Sequence, residues 1–293
     1  MHTTTHSRRL ILLFALLLGG ILVAAPAQAA PLAKADQRRT QCIPAKHIQN
    51  WHSAEQLNQK GFNTVDEGDL ASVDFGGDLL LSMAGGSTNN QAQASRVTEI
   101  DADLPIAQRV KCWQASPGQD IVVEFRERFN ESAVPLNLQE DSFLWNAPLP
   151  SPNNPELPGL LTAIGVSRTT AFGGHVAEIV QDFDFFNPGG PALFEVEPLP
   201  VWLNAADWHN VRITLSQTHA KIEIAQGDHP FDADHPVLEA DLLHPAEPLG
   251  FEFSVDTSEQ FVQADGLNVS CLDIRYVPSN LNKLHARPSL CHN

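Results

Sequence analysis

The most regular alternation of apolar and polar residues in this 293-residue chain runs through DWHNVRITL (207–215) and AKIEI (220–224). Because successive side chains of a β-strand point to opposite faces of a sheet, this period of two predicts strands with one buried face. Only four residues separate the two stretches. We therefore expect them to form an antiparallel hairpin.

The same alternation recurs from residue 69 onward, interrupted by turns that contain glycine, proline or polar residues. The other candidate strands lie within 69–83, 121–129, 175–186, 250–256 and 270–277. Only residues 53–61, which begin with a serine and end with a glycine, have the features of a short helix. The pattern predicts an all-β fold: a single sandwich of two antiparallel sheets with at most one short N-terminal helix.

The hairpin at 207–224 resembles the W-x-x-V-x-I … x-I-x-I hairpin of the concanavalin A-like lectin/glucanase superfamily, which includes laminin-G-like modules. Residues 74–81 are similar to the early hairpin of these domains, and residues 248–253 and 269–276 are similar to their last strands. The resemblance implies a jelly roll of two curved sheets. It does not imply one function, because lectins, hydrolases, lyases and spacer domains share this fold.

The charge of the chain excludes some classes of partner. It has 18 Lys and Arg against 35 Asp and Glu, a formal net charge of −17 at pH 7. So large a negative charge argues against nucleic acid or an anionic membrane surface as a partner. The hydrophobic content of 43% is normal for a chain that buries a core.

The N-terminus has the features of an export signal. A positively charged segment, an apolar stretch from Leu10 to Ala25 and a small-residue cleavage pattern at 27–29 follow one another. We expect residues 1–29 to be a signal peptide and residues 30–293 to form one concanavalin A-like jelly-roll domain. The product is then secreted, and no later segment is apolar enough to anchor it in a membrane.

Four cysteines follow the predicted signal: Cys42, Cys112, Cys271 and Cys291. An even number of cysteines in an exported chain predicts two disulfides, for which three pairings are open. No C-x-x-C pair is present, so a zinc site built from these cysteines is not expected.

One stretch comes close to the catalytic signature of the glucanases. The resemblance implies E-x-D-x-x-E or E-x-D-x-E on one strand for a retaining enzyme, and here Glu178, Asp182 and Asp184 alternate on the predicted strand. Val180 stands where the central carboxylate belongs. We therefore expect no catalytic residues, while an inverting site completed by another strand stays open.

A second stretch, EFRER at 124–128, is superficially similar to the arginine–glutamate strand of polysaccharide lyases. No matching Gln-x-His strand or tyrosine base accompanies it, and Tyr276 falls on the apolar face of the last strand. We interpret 124–128 as a solvated strand face with cross-strand ion pairs.

Sugar recognition requires aromatic faces for stacking and polar groups that bond hydroxyls. We expect Trp145 to be partly exposed before a proline-rich loop, and Trp202 to edge a groove. Arg126, Glu178 and Asp182 are candidates to line the same concave face. The predicted ligand-binding residues are thus Trp145, Trp202, Arg126, Glu178 and Asp182. Trp208, by contrast, is predicted to be a core residue.

Asp228, Asp232 and Asp234 make calcium a possible ligand of the loop at 228–236, although prolines stiffen the loop and a solvated hairpin tip is favoured. We predict no other cofactor or metal site.

Taken together, these patterns predict a secreted, non-catalytic carbohydrate-binding or interaction module whose partner is a polysaccharide or glycan. The alternatives are an extracellular glycoside hydrolase or polysaccharide lyase of the same fold, and a structural protein without a small ligand.

Overall fold

The computed structural model describes residues 45–60, 62–67, 71–83, 93–98, 113–130, 138–146, 160–169, 174–184, 190–201, 203–204, 206–257, 265–279 and 291. These residues form β1 (Ala45–Gln49), α1 (Ala54–Gln59), β2 (Asn63–Glu67), β3 (Ala71–Phe75), β4 (Leu79–Met83), β5 (Gln93–Thr98), β6 (Gln119–Asn130), β7 (Leu138–Trp145), β8 (Leu161–Thr169), β9 (Gly174–Phe183), β10 (Leu193–Pro198), β11 (His209–Leu215), β12 (His219–Gln226), β13 (Leu238–Asp241), β14 (Gly250–Thr257) and β15 (Asp265–Pro278).

The strands form two sheets in which every pairing is antiparallel. Sheet 1 has eight strands in the order β13-β12-β11-β6-β15-β4-β3, with β1 also paired to β15. Sheet 2 has seven strands in the order β10-β9-β8-β7-β14-β5-β2. The predicted all-β sandwich of two antiparallel sheets is confirmed.

The hairpin predicted at 207–224 is present as β11 and β12. Its register runs from His209 opposite Gln226 to Leu215 opposite Ala220. The other edge of β11 pairs with β6, where His209 lies opposite Glu127. β6 is the longest described strand of the first half of the chain. It therefore lies beside the start of β11, which Trp208 precedes.

The short helix α1 begins where the sequence predicts a cap. The backbone N–H of Gln56 donates to the Ser53 hydroxyl at 3.2 Å, and the Gln56 side chain accepts from the N–H of His52 at 3.0 Å. The first bond satisfies an N–H group that a helix start leaves without a partner, and the second ties the helix to the residue before its cap.

The main core lies between the two sheets and is rich in aromatic rings. Phe125 of sheet 1 packs against Phe251 and Phe253 of sheet 2, with ring centroids 5.6 and 5.4 Å apart. All three side chains are fully buried. Burial of each contributes about 1.5–3 kcal/mol, so these contacts hold the two sheets face to face.

Cys271 on β15 and Cys291 form a disulfide with a Cα–Cα distance of 5.4 Å. Cys42 and Cys112 lie outside the described residues, so a second disulfide stays a prediction, as does the signal peptide at 1–29. In the described part of the chain no helix has the length and hydrophobicity required to traverse a bilayer.

Candidate functional site

Each strand directs alternate side chains into the space between the sheets and onto the outside of the sandwich. We call the outside of each sheet its outer face. On β6, Phe125 joins the core, so its neighbour Arg126 lies on the outer face of sheet 1. On β9, Ile179 joins the core, so Glu178 lies on the outer face of sheet 2. Arg126 and Glu178 are therefore on opposite sides of the molecule, and the expectation that they line one concave face is wrong.

Trp145 is buried on the outer face of sheet 2, with 3% of its surface exposed. Its ring meets the ring of Phe143 edge-on at a centroid distance of 5.4 Å. The expectation of partial exposure is wrong because β7 continues as far as Trp145, which pairs with Gly250 and Ala163 instead of entering a turn. The indole lies in a second apolar cluster made by Phe143, Trp145, Leu161, Ala163, Val180 and Phe183.

Three carboxyl groups share this outer face with the apolar cluster. Asp141 on β7, Glu178 on β9 and Glu252 on β14 are 3%, 6% and 2% exposed. Burial raises the pKa of Glu178 to about 7, and a hydrogen bond with the Ser167 side chain opposes part of that rise. A pKa in this range is typical of a general acid, but so little exposure keeps a polysaccharide chain from reaching these groups.

Glu178 and Glu252 lack the spacing of a retaining glycosidase pair. The next outward residue on β9 after Glu178 is Val180, as the sequence predicts. Glu252 lies three strands from Glu178, roughly 14 Å at the usual strand spacing, whereas a retaining pair is about 5–5.5 Å apart. β8 lies between the strands of these two carboxyl groups and carries Gly165 on this face. The Cβ of any other residue at this position would come within 2.4 Å of the Phe143 Cβ.

Asp182 does not share the face of Glu178, contrary to the sequence-based expectation. The pairing of β8 with β9 shifts register between Leu161 and Ala163, and Asp182 has a φ of 60°. This bulge inserts one residue, so Phe183 takes the outward position instead. The Asp182 carboxylate lies 2.8 Å from Nε2 of His244, whose pKa is raised by the Pro245 carbonyl and then by Asp182.

Arg126 belongs to a different group on the outer face of sheet 1. Its guanidinium lies 5.7 Å from the ring centroid of Trp208, and that of Arg128 lies 4.8 Å from the same ring. Nη1 of Arg126 also donates to Oδ1 of Asp228 at 3.3 Å. We call these four residues, Arg126, Arg128, Trp208 and Asp228, the arginine–tryptophan cluster.

The strand register explains how the cluster forms. Because His209 pairs with Glu127, the preceding Trp208 comes beside Arg128. At the end of β12, Gly227 adopts a φ of 55° and its N–H donates to the Trp208 carbonyl at 2.8 Å. That left-handed conformation, which favours glycine, turns the chain so that Asp228 reaches Arg126.

A buried polar contact lies beneath the cluster, on the inner side of β6. Glu127 and His209 are both 0% exposed, and their nearest side-chain atoms are 3.5 Å apart. The hydroxyl of Ser142, from the opposite sheet, donates to Glu127 at 2.5 Å. Since a buried carboxyl group is costly without partners, this contact fixes the end of β6 that carries Arg126 and Arg128.

The remaining charges on this face form a cross-strand network, as the sequence predicts for 124–128. Arg212 donates to Oε1 of Glu124 at 2.6 Å, and Arg275 donates to the other oxygen at 3.1 Å. Glu124 and Arg212 are buried, however, and the predicted solvation of this strand face is wrong. Phe231 explains the burial of Arg212, because its ring lies 4.1 Å from the guanidinium.

The loop after β12 does not bring its three aspartates together. Asp228 contacts Arg126, while Asp232 accepts from the N–H of Asp234 and lies 3.0 Å from Nδ1 of His235. No group of three or more potential metal ligands occurs among the described residues. The loop is not only a solvated tip either, because Phe231 is buried.

No protein-family model and no curated protein matches this chain. Solved structures do match it. A GlcNAcα1-4Gal-releasing endo-β-galactosidase from Clostridium perfringens superposes with a TM-score of 0.52 at 10% identity, over 87% of this chain and 66% of that one. The endo-1,3-β-glucanase from Streptomyces sioyaensis gives 0.50 at 11% identity, over 87% of this chain and 100% of that one.

The chain has the concanavalin A-like jelly-roll fold. A seed lectin from Lotus tetragonolobus matches with a TM-score of 0.49 at 9% identity, over 80% of this chain and 98% of that one. At such identities the likeness to the endo-β-galactosidase and the endo-1,3-β-glucanase shows the fold and leaves the function open.

Sequence reasoning selected one member of the arginine–tryptophan cluster, Arg126, as a ligand-binding residue. It missed Arg128 and interpreted Trp208 as core, whereas the indole is half-buried. The sequence did contain a signal for Arg128. It is two residues from Arg126, so the two arginines share a face of the predicted strand. Trp202 lies outside the described residues, so its ligand-binding role stays a prediction.

Proposed function

We propose that this chain is a secreted, non-catalytic glycan-binding protein and that the arginine–tryptophan cluster is its binding site. The observation that carries the proposal is the stacking of Arg126 and Arg128 on the half-buried ring of Trp208. Such an arrangement combines an aromatic surface with several N–H donors, which is the chemistry that sugar recognition requires.

The accessibility of the two outer faces supports this choice of site. Trp145 and Glu178 on sheet 2 are 3% and 6% exposed, so a ligand cannot reach them without rearrangement. The side chain of Arg126 is 15% exposed, and that of Asp228 is 75% exposed. Two structures that match with TM-scores of 0.50 or more are named as enzymes that cleave glycans, which makes a glycan the natural first class of ligand to test.

The place of action follows from the predicted export signal at 1–29 together with the disulfide between Cys271 and Cys291. Disulfides persist mainly in oxidising compartments. We therefore place glycan binding outside the cytoplasm.

The test is a binding titration against a panel of polysaccharides, with Trp208→Ala compared with the wild type. We expect binding to at least one polymer and about a tenfold or greater loss in the variant, since an aromatic platform contributes on the order of 1.5 kcal/mol. Val201→Ala is the matched control, because Val201 is fully exposed. Absence of binding to every polymer would refute the proposal.

A hydrolase of the same fold is the second candidate, favoured by the pKa of about 7 at Glu178. It predicts release of reducing ends from one of the same polymers, abolished by Glu178→Gln in a folded protein. Binding without such release supports the non-catalytic function.

A further inference from the structure

We infer that the ligand of the arginine–tryptophan cluster is an acidic glycan, one whose sugars carry carboxylate or sulfate groups. The inference rests on the proposed function, because it names the chemical class of ligand for the same site.

The first argument is the state of Arg128. Within the described part of the chain its guanidinium has the Trp208 ring as its neighbour and makes no ion pair. Acidic residues outnumber basic ones by 35 to 18 in this sequence. The net negative charge of the chain repels a polyanion at long range, so the attraction must come from local donors. The Arg128 guanidinium has no carboxylate partner among the described residues, and its N–H donors are available for an anion from outside.

The second argument is the geometry of the two guanidiniums. Arg126 and Arg128 are two residues apart on one face of β6, which places their Cα atoms roughly 7 Å apart. Stacking on Trp208 limits the freedom of both side chains before a ligand arrives, so less entropy is lost on binding. The planar fork of an arginine matches the two oxygens of a carboxylate or sulfate better than it matches single hydroxyls.

The third argument is Asp228, which shows that Arg126 accepts a carboxylate at this site. The contact is 3.3 Å long and the Asp228 side chain is 75% exposed. An ion pair this exposed is weak. A carboxylate or sulfate of a glycan can therefore replace Asp228 on Arg126 while a neighbouring charged group bonds Arg128.

The experiment compares each of two charged polymers with its neutral counterpart. Polygalacturonate is paired with its methyl ester, which removes the carboxylate, and dextran sulfate is paired with dextran. We expect one or both charged polymers to bind, each neutral counterpart to bind at least about tenfold more weakly, and binding to fall as salt rises. If only one charged polymer binds more tightly than its neutral counterpart, the site prefers the anionic group of that polymer.

Three variants of the cluster and one control test whether the effect belongs to the cluster. Arg128→Gln is expected to weaken binding of the charged polymer about tenfold or more, and Arg128→Lys to restore part of it. Lys60→Gln, one residue after α1, removes the same charge elsewhere and is expected to change affinity less than about twofold. Asp228→Asn is expected to tighten binding, because it removes the competing carboxylate, and its exposure keeps the variant folded.

The outcomes separate the two claims. Equal affinity for charged and neutral polymers, with Trp208→Ala still weakening both, would overturn the acidic class and leave glycan binding intact. Loss of affinity in Asp228→Asn would also overturn it. Failure of all four polymers and of every neutral glycan in the wider panel would overturn the proposed function and the inference together.

Discussion

At the scale of single residues, Glu178 is half protonated near neutral pH because it is buried among apolar side chains. Its pKa is raised from 4.5 to about 7. The ionised form is less favourable in the folded chain than in the unfolded chain. The stabilisation from the neutral acid is therefore complete below pH 4.5 and is lost as the pH rises through 7.

We predict that Glu178→Gln removes this pH dependence. A rise of 2.5 in pKa corresponds to about 3 kcal/mol, so relative to the wild type the variant should gain about that free energy of unfolding between pH 4.5 and pH 8. Urea unfolding at both pH values measures it, with the exposed Glu195→Gln as control. A stability difference that does not change with pH would contradict the assigned environment.

Trp145 gives the second prediction at this scale. Because its indole is 3% exposed within an apolar cluster, Trp145→Ala should lower the free energy of unfolding by about 3–5 kcal/mol. Trp145→Phe leaves a smaller cavity and should cost less. Thermal and denaturant unfolding distinguish the two variants, and a loss below about 1 kcal/mol in Trp145→Ala would show that the ring is exposed.

At the scale of strands, β6 connects the site to a buried ion network. Its outward residues are Glu124, bonded to Arg212 and Arg275, and then Arg126 and Arg128 of the arginine–tryptophan cluster. Its inward residues include Glu127, bonded to Ser142 of the other sheet. Polar contacts on both faces thus fix the strand that carries the two arginines.

We predict that Arg212→Met destabilises the protein by about 3–5 kcal/mol, because it leaves the buried Glu124 and Glu223 without their shared cation. The control is Arg126→Met on the neighbouring strand, whose partner Asp228 is exposed, and it should cost less than about 1 kcal/mol. Chemical unfolding of both variants checks the comparison. Equal losses would show that the Arg212 network is solvated.

The strands show how far the sequence could predict this molecule. Period-two alternation identified β6, β11, β12, β14 and β15, since their buried faces require it. It failed at β9, because a bulge at residues 181–182 depends on pairing with β8 and leaves no mark in the alternation. It also could not assign Arg126 and Glu178 to different sheets, since strand order is a property of distant pairing. Trp208 was misjudged although the alternation was sufficient, because the inward Val211 and Ile213 place Trp208 on the outer face.

At the scale of the whole molecule, the chain end is fastened across sheet 1. The disulfide joins Cys291 to Cys271 on β15, and the sulfur of Cys291 lies 3.7 Å from the Glu124 carbonyl oxygen. The link closes a loop over 20 residues. It therefore reduces the freedom of the unfolded chain and covers part of the face that carries the ion network.

We predict that Cys291→Ser lowers the free energy of unfolding by about 3 kcal/mol, the entropic effect of a loop of this size. A substitution is preferable to a reductant, because a reductant also acts on Cys42 and Cys112. Denaturant unfolding of the two oxidised proteins measures the loss. An unchanged midpoint would mean that the link contributes nothing to stability.

The outer face of sheet 2 is closed, and we propose that the outer face of sheet 1 binds the ligand. Hydrogen–deuterium exchange is followed by mass spectrometry with and without polygalacturonate. We expect slower exchange at residues 206–208 and 227–231 beside Arg126 and Arg128, and unchanged exchange at 141–146 and 176–184. Protection confined to the second pair of segments would place the binding site on sheet 2 and refute the proposed site.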